Sequence, residues 1–405
     1  MNIFIIPSWY PSIISPIAGI FFKEQARYLA DFDKSNKIAI SLWGQSDDNL
    51  KWFTKDLLPL NTFFYKALYT LAQRKKRYQV TDNLFEYYNP VVTWSDRIKN
   101  GNFQGIIKAN EENLNAFIKK EGKADLIHAH VSFPAGFIAK YLSEKHHIPY
   151  VITEHMGPFP FNHLLNKDGS LQNIVLEPLK YANKIIAVSP SLCNKIKSFN
   201  LPEPICIPNI IDEDYFNVSV QMQNNPQFSF FCLSSIIPSK GIKELLFAIQ
   251  NLSNRSKLSF IVNIGGDGEY LEEYQNLTEK LKLNDKVKWL GKLNREEVRV
   301  EFHNCDAFVL PSHLESFGIV YAEALACGKP VIGTYSGGPE SIVNEQNGVL
   351  VKVGDAEDLA AKMELIMENI KNYKAIEIRK DFEKRFSKRA IVPKVLSLYN
   401  DIIKS

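Results

Sequence analysis

Glu315 and Glu323 are two carboxylates with seven residues between them, and they flank the step Phe317-Gly318. Residues 306–310 before them read as a buried strand. The residues after Gly318 read as a short helix that stops at Gly328, ahead of Pro330. Glu315 is therefore expected in the turn over a strand's carboxyl end, and Glu323 about one turn inside the following helix. The first N–H groups of a helix lack partners and its dipole is positive there, so such a place attracts anions. Acids beside an anion site suit a ligand that is both phosphate and sugar, because sugar hydroxyls need acceptors. The spacing alone also suits an exposed helix with ordinary surface acids.

Other residues could share this chemistry. Gly19 stands between the loop Ser8-Trp9-Tyr10-Pro11 and a helix, where glycine lets backbone approach a ligand or simply makes a turn. Lys240-Gly241 closes the run Ser235-Ile236-Ile237-Pro238-Ser239 after a strand, as a phosphate contact or as a solvated helix-start lysine. Gly265-Gly266-Asp267-Gly268 follows another strand, but its spacing is not that of a dinucleotide fingerprint, so it reads first as a tight turn. His128 and His130 end one strand and Glu154-His155 another. No third ligand follows the first pair at a suitable spacing, so packing or contact with an acceptor is expected there rather than a metal. Glu340, after Gly337-Gly338-Pro339, is expected to cap a helix start.

These residues need strand ends and helix starts, and the chain supplies them in alternation. Residues 2–6, 38–42, 126–129, 150–153, 185–188 and 205–207 read as strands of a first series. Residues 228–233, 259–264, 287–290, 307–310 and 331–333 form a second series, with helical patterns between them. This layout predicts α/β layers with parallel sheets. Residues 218–227 read as the connector, and residues 388–403 as a last amphipathic helix.

Composition sets outer limits. A chain of 405 residues suggests two or three domains, and 45% hydrophobic with 23% charged residues is globular. A net charge of +3 is too small to argue for nucleic acid. The five scattered cysteines read as small buried apolar residues of a reducing compartment. The apolar start is too short for a signal peptide and lacks a basic segment, and no run approaches the ~18 apolar residues of a membrane span. A cytoplasmic protein is expected, at most peripheral to a membrane. Residues 61–80 bear on that: aromatics precede Arg74-Lys75-Lys76-Arg77, which suits an anionic membrane surface or a lipid-linked acceptor. A helix that packs its aromatics and solvates its basic end is the favoured alternative.

The paired glutamates, the Pro311-Ser312 strand end, Phe317-Gly318 and the exit Gly328-Lys329-Pro330-Val331-Ile332 together resemble the signature of the retaining family 4 glycosyltransferases, the glycosyl transferases group 1. The resemblance implies the GT-B fold, two Rossmann-like domains facing each other across a cleft. Residues 1–209 would bind the acceptor, with helix 388–405 packing back on them, and residues 210–387 the nucleotide-sugar donor. Carried over, Glu323 holds the ribose, Glu315 faces the transferred sugar, and Lys240 clamps the diphosphate. Glu315, His155 and Lys240 become the catalytic candidates, with His130 on the acceptor side. Gly19, Ser235, Gly265, Lys292, Leu293, Phe317, Gly318 and Ile319 become donor contacts, Lys292 and Leu293 through backbone groups at the base. The family usually has Gly-Arg where this chain has Ser234-Ser235, so the bidentate cation is missing, and Lys243 is a candidate replacement. It also often has Pro-Asn-Gly-Val-Asp where Ile210 and Ile211 stand here.

The implied reaction needs no metal or cofactor. It moves a sugar from a UDP- or GDP-linked donor to a glycan or lipid-linked glycan, as in lipopolysaccharide or capsule assembly, with retention of configuration. The implied location is the cytoplasm, with contact at the inner face of the cytoplasmic membrane open to it. An epimerase of similar architecture or an inactive sugar-nucleotide-binding protein is the alternative, and Ser235 in place of arginine is what favours the latter.

Overall fold

A computed structural model describes residues 1–13, 15–52, 60–94, 99–219 and 227–405. The chain forms two compact units. One comprises Met1–Val188, Cys193–Ile207 and Val392–Ser405, and the other Ser189–Leu192 and Pro208–Ile391. Most of the expected connector, residues 220–226, lies outside the described residues.

The first unit holds strands β1 (Asn2–Pro7), β2 (Lys37–Leu42), β3 (Lys76–Gln79), β4 (Leu84–Tyr88), β5 (Leu126–His130), β6 (Tyr150–Glu154), β7 (Lys184–Ala187) and β8 (Ile205–Cys206). They make one sheet in the order β3-β4-β2-β1-β5-β6-β7-β8, parallel except for β3. Ile3, Phe4, Ile5 and Ile6 are all buried, as expected of a central strand covered on both faces. Its helices include α1 (Ile20–Phe32), α2 (Leu60–Ala72), α3 (Phe103–Glu121), α4 (Phe137–His146), α5 (Asn173–Tyr181) and α6 (Pro190–Lys197).

The second unit holds β9 (Phe228–Leu233), β10 (Phe260–Gly265), β11 (Val287–Gly291), β12 (Ala307–Val309), β13 (Val331–Thr334) and β14 (Gly348–Val351). They form an all-parallel sheet in the order β11-β10-β9-β12-β13-β14. Its helices include α7 (Ile242–Arg255), α8 (Leu271–Lys280), α9 (Arg295–Asn304), α10 (Ile319–Ala326), α11 (Ala356–Asn369) and α12 (Ala375–Arg385). Phe230, Phe231, Phe302, Phe308 and Tyr321 are fully buried and fill its core. The last helix, α13 (Lys388–Lys404), begins in the second unit and ends in the first.

Each sheet reverses its winding once. The chain runs from β9 outward to β11, then returns to place β12 on the other side of β9. In the same way β5 returns beside β1. Such a reversal parts the loops above the strands' carboxyl ends and opens a ligand crevice there.

Three strands were absent from the sequence reading: β3, β4 and β14. The sequence places the basic cluster at the end of a helix, yet the helix stops at Ala72, and Lys76 and Arg77 sit on β3, paired antiparallel with Tyr88 and Tyr87. The cysteine reading also needs correction, because Cys206 is exposed while the other four are buried. Cys206 is on the two-residue strand β8, paired to β7 alone in this sheet, so its side chain has little to cover it.

Candidate active site

In the second unit the loops after β9 and β12 flank the reversal point. After β9 the chain makes a short 3-10 turn, Pro238–Lys240, and passes through Gly241 at φ 70° into α7. A Cβ on Gly241 would lie 1.9 Å from the Pro311 carbonyl oxygen, so the two loops touch by backbone. His313 N–H also donates to Ser239 O at 2.8 Å. Across this seam Lys240 Nζ lies 2.6 Å from Glu315 Oε1, and Ser312 Oγ donates to the same oxygen at 2.8 Å. The Glu315 backbone is fixed by its N–H to Ser336 O and by Gly338 N–H to its own carbonyl. Gly318, at φ 91°, opens α10, and the Tyr321 hydroxyl donates back to Leu310 O. The N-termini of α7 and α10 thus rise from the two loops that carry the Lys240–Glu315 pair.

Glu323 is half-buried one turn into α10. Desolvation pushes its carboxyl up to about 7, and the Arg295 guanidinium offsets part of that rise. Arg295, in the first turn of α9, lies 4.4 Å over the Tyr215 ring. Sequence reasoning passed over Arg295 and Tyr215, since neither stands in a motif.

The remaining donor-side expectations divide. Gly265 and Leu293 come together, with Leu293 Cδ1 only 2.7 Å from where a Gly265 Cβ would be. Lys292 is exposed. Ser235 is exposed, while the Ser234 hydroxyl is buried without a partner. Lys243 is exposed on the first turn of α7. Ile319 is half-buried at the start of α10. Phe317 is buried, with its ring 5.7 Å from that of Phe386, so its side chain packs in the core while its backbone lies in the loop that carries Glu315. The glycines at 266 and 268 are explained by packing, since a Cβ there would meet Ser234 O at 1.8 Å or Ile236 O at 2.4 Å. Glu340 accepts the Gly337 N–H at 2.8 Å.

In the first unit the reversal point lies between β1 and β5. His130 is buried at the end of β5, and its Nδ1 lies 3.2 Å from His155 Nε2. Phe22 stacks on His130 at 4.5 Å, and Phe21 lies 5.1 Å from His155. Burial drives the His130 imidazole well below its ordinary value and His128 down to about 3, so both are neutral. His128 shares hydrogen bonds with Thr153 Oγ1 at 2.7 Å and with the Tyr399 hydroxyl of α13 at 2.5 Å. A third imidazole, that of His155, thus lies beside His130. It comes from the neighbouring strand β6, which sequence distance conceals. Even so, no group of three His, Cys, Asp or Glu among the described residues is arranged to hold a metal.

Glu154, fully buried, organises this corner by accepting the N–H groups of Ser132, His155 and Met156. Val131, just after His130, takes φ 78°, a strained setting for a β-branched residue. Gly19, at φ 66°, is buried, and a Cβ on it would meet Trp9 O at 2.6 Å, so the close approach of Trp9 already demands glycine.

The α2 helix exposes Phe64, Tyr65, Leu68 and Leu71. Lys75 pairs with Glu112 and Arg77 with Glu121, so half of the basic cluster is matched by carboxylates. No helix among the described residues is long and apolar enough to cross a membrane.

Residues 218–388 match the family model described as Glycosyl transferases group 1, and residues 69–215 match Glycosyltransferase Family 4. An uncharacterised glycosyltransferase of Methanocaldococcus jannaschii, MJ1178, is 30% identical over 78% of this chain and 86% of its own length. N-acetyl-alpha-D-glucosaminyl L-malate synthase of Bacillus anthracis is 25% identical over 71% of this chain and 78% of its own. Among solved structures, sucrose-phosphate synthase of Thermosynechococcus elongatus superposes with a TM-score of 0.74 at 17% identity, over 100% of this chain and 99% of that one. Anabaena HepE in complex with UDP superposes with a TM-score of 0.69 at 17% identity, over 99% and 100%. With two parallel-sheet units, both switch points equipped and these relatives in hand, the chain belongs to the group 1 glycosyl transferases of glycosyltransferase family 4 and has the GT-B fold.

Proposed function

We propose that this glycosyltransferase moves a sugar from a UDP- or GDP-linked donor to a hydroxyl of a glycan or lipid-linked glycan, with retention of configuration and without a metal. The observation that carries the reading is the Lys240–Glu315 contact between two helix N-termini at the sheet's reversal point. Lys240 and the α7 and α10 amides take the diphosphate, Glu315 orients the sugar, and Glu323 accepts from the ribose hydroxyls. As the bond from the anomeric carbon to the phosphate oxygen breaks, negative charge grows on the diphosphate, and the lysine and amides stabilise it in place. The acceptor oxygen bonds to the same carbon from the same face. Its proton passes to the departing phosphate oxygen, and nucleotide diphosphate is released. His155 and the neutral His130 serve the first unit's side of the reaction as hydrogen-bonding groups for sugar hydroxyls. The exposed apolar face of α2 supports an acceptor held at a membrane.

Thermal-shift screening against UDP, GDP and their sugar conjugates tests the donor assignment, because a ligand specific to the folded state raises the midpoint by mass action. A flat response to every nucleotide in the panel would refute it.

A further inference from the structure

The first unit also contains a cavity of about 700 Å³ at the carboxyl ends of β1, β2 and β4, on the same sheet edge as His130. Its volume lies within the ~300–1,000 Å³ of small-molecule sites. Tyr10, Tyr69, Tyr78 and Tyr88 line it. Tyrosine rings offer flat apolar faces with a polar tip, which matches the C–H faces and hydroxyl edges of a sugar ring.

The cavity is braced from within. The Tyr10 hydroxyl donates to Glu86 Oε1 at 2.7 Å, and Lys23 Nζ stands 3.2 Å from the same oxygen. Elsewhere in the lining the Tyr69 hydroxyl donates to Asp47 Oδ2 at 2.9 Å, while Asp47 Oδ1 accepts the Asn49 N–H at 3.0 Å. A carboxylate can accept about four hydrogen bonds over its two oxygens, so both acids keep capacity for ligand hydroxyls. Burial raises the Tyr69 phenol to about 12, which keeps it protonated. The charged lining is balanced: Lys23 and Lys76 face Asp47 and Glu86. A phosphate or polyanion gains nothing from such a lining, whereas a neutral, hydroxyl-rich ligand loses nothing.

We propose that this cavity is a subsite for a neutral glycosyl unit of the acceptor. Its assignment to the acceptor rests on the transferase reading above, whereas its affinity for neutral sugar does not.

The test uses the full chain and saturation-transfer NMR with methyl glycosides of glucose, galactose, mannose and N-acetylglucosamine. Glucose 6-phosphate is included as an anionic control. At least one methyl glycoside should receive saturation at its ring protons. Tyr78→Ala, at an exposed ring whose removal spares the core, should reduce that signal about fivefold or more, and Tyr69→Ala should do the same. Both variants should keep the parent's thermal shift with nucleotides. The subsite is overturned if no methyl glycoside binds, if both variants bind like the parent, or if glucose 6-phosphate binds better than the neutral sugars. Glycoside binding with no nucleotide response would leave the sugar cavity standing and remove the donor assignment instead.

Discussion

Lys240 Nζ and Glu315 Oε1 sit 2.6 Å apart, joining the loop after β9 to the loop after β12. Without donor, the acid holds the cation in place. A diphosphate entering between the two helix N-termini would compete for the ammonium and leave Glu315 free to accept from a sugar hydroxyl. The two substitutions should therefore have opposite effects on nucleotide binding. Lys240→Ala should weaken UDP or GDP binding by about tenfold to a hundredfold, the range of a hydrogen bond to a charged group. Glu315→Gln should bind nucleotide at least as tightly as the parent yet lose sugar transfer. Calorimetric titration with nucleotide and a nucleotide-release assay separate the two, and parent-like binding by Lys240→Ala would discard the clamp.

Glu323 gives the enzyme a pH dependence of definite sign. Its carboxyl is raised from 4.5 to about 7 in the fold. An acid raised on folding contributes stability fully present below its unfolded value and lost as pH climbs through the folded one, so the unliganded protein should lose stability from about pH 4.5 to about pH 7. Donor binding should run the other way, because ribose hydroxyls donate to the carboxylate form. Nucleotide affinity should improve about tenfold between about pH 6 and about pH 8 and then level off. Glu323→Gln should flatten both trends. A parent affinity that does not change over that interval would show that Glu323 does not meet the ribose.

Much of this was legible in the sequence, for physical reasons. The strands that were read correctly, such as β9 at Phe228–Leu233, are covered on both faces and so are continuously apolar. The edge hairpin escaped because β3 reads Lys-Arg-Tyr-Gln with no buried residue, and β14 because it is a four-residue edge strand of which only Gly348 and Val351 are buried. Glu315 and Lys240 could be paired only through a family resemblance, since 75 residues separate them. Nothing local announces a contact made by topology. The same is true of His155 beside His130, and of Tyr399, which reaches His128 from 271 residues away.

Gly241 is a sharper test of the seam than either charged residue. Its φ of 70° is unfavourable for any residue with a Cβ, and that Cβ would also lie 1.9 Å from Pro311 O. Gly241→Ala should destabilise the second unit by more than about 1 kcal/mol through strain alone. It should weaken nucleotide binding as well, by moving Lys240. Urea unfolding followed by circular dichroism measures the first effect and thermal shift with UDP or GDP the second. A variant as stable as the parent would mean that the loops need no such approach.

The membrane proposal turns on α2. Leu68 and Leu71 are 68% and 82% exposed, beside exposed Phe64 and Tyr65. Such a face gains free energy by entering a lipid interface, and the neighbouring cations strengthen this when the lipid is anionic. With Lys75 and Arg77 already paired to Glu112 and Glu121, the apolar contribution should dominate. Co-sedimentation with phosphatidylglycerol vesicles should therefore persist in part at high salt, and Leu68→Ser with Leu71→Ser should abolish it while leaving nucleotide binding intact. Binding that vanishes with salt but survives the double substitution would shift the contact from this helix face to the charges. Absence of sedimentation by the parent would exclude α2 as a membrane contact.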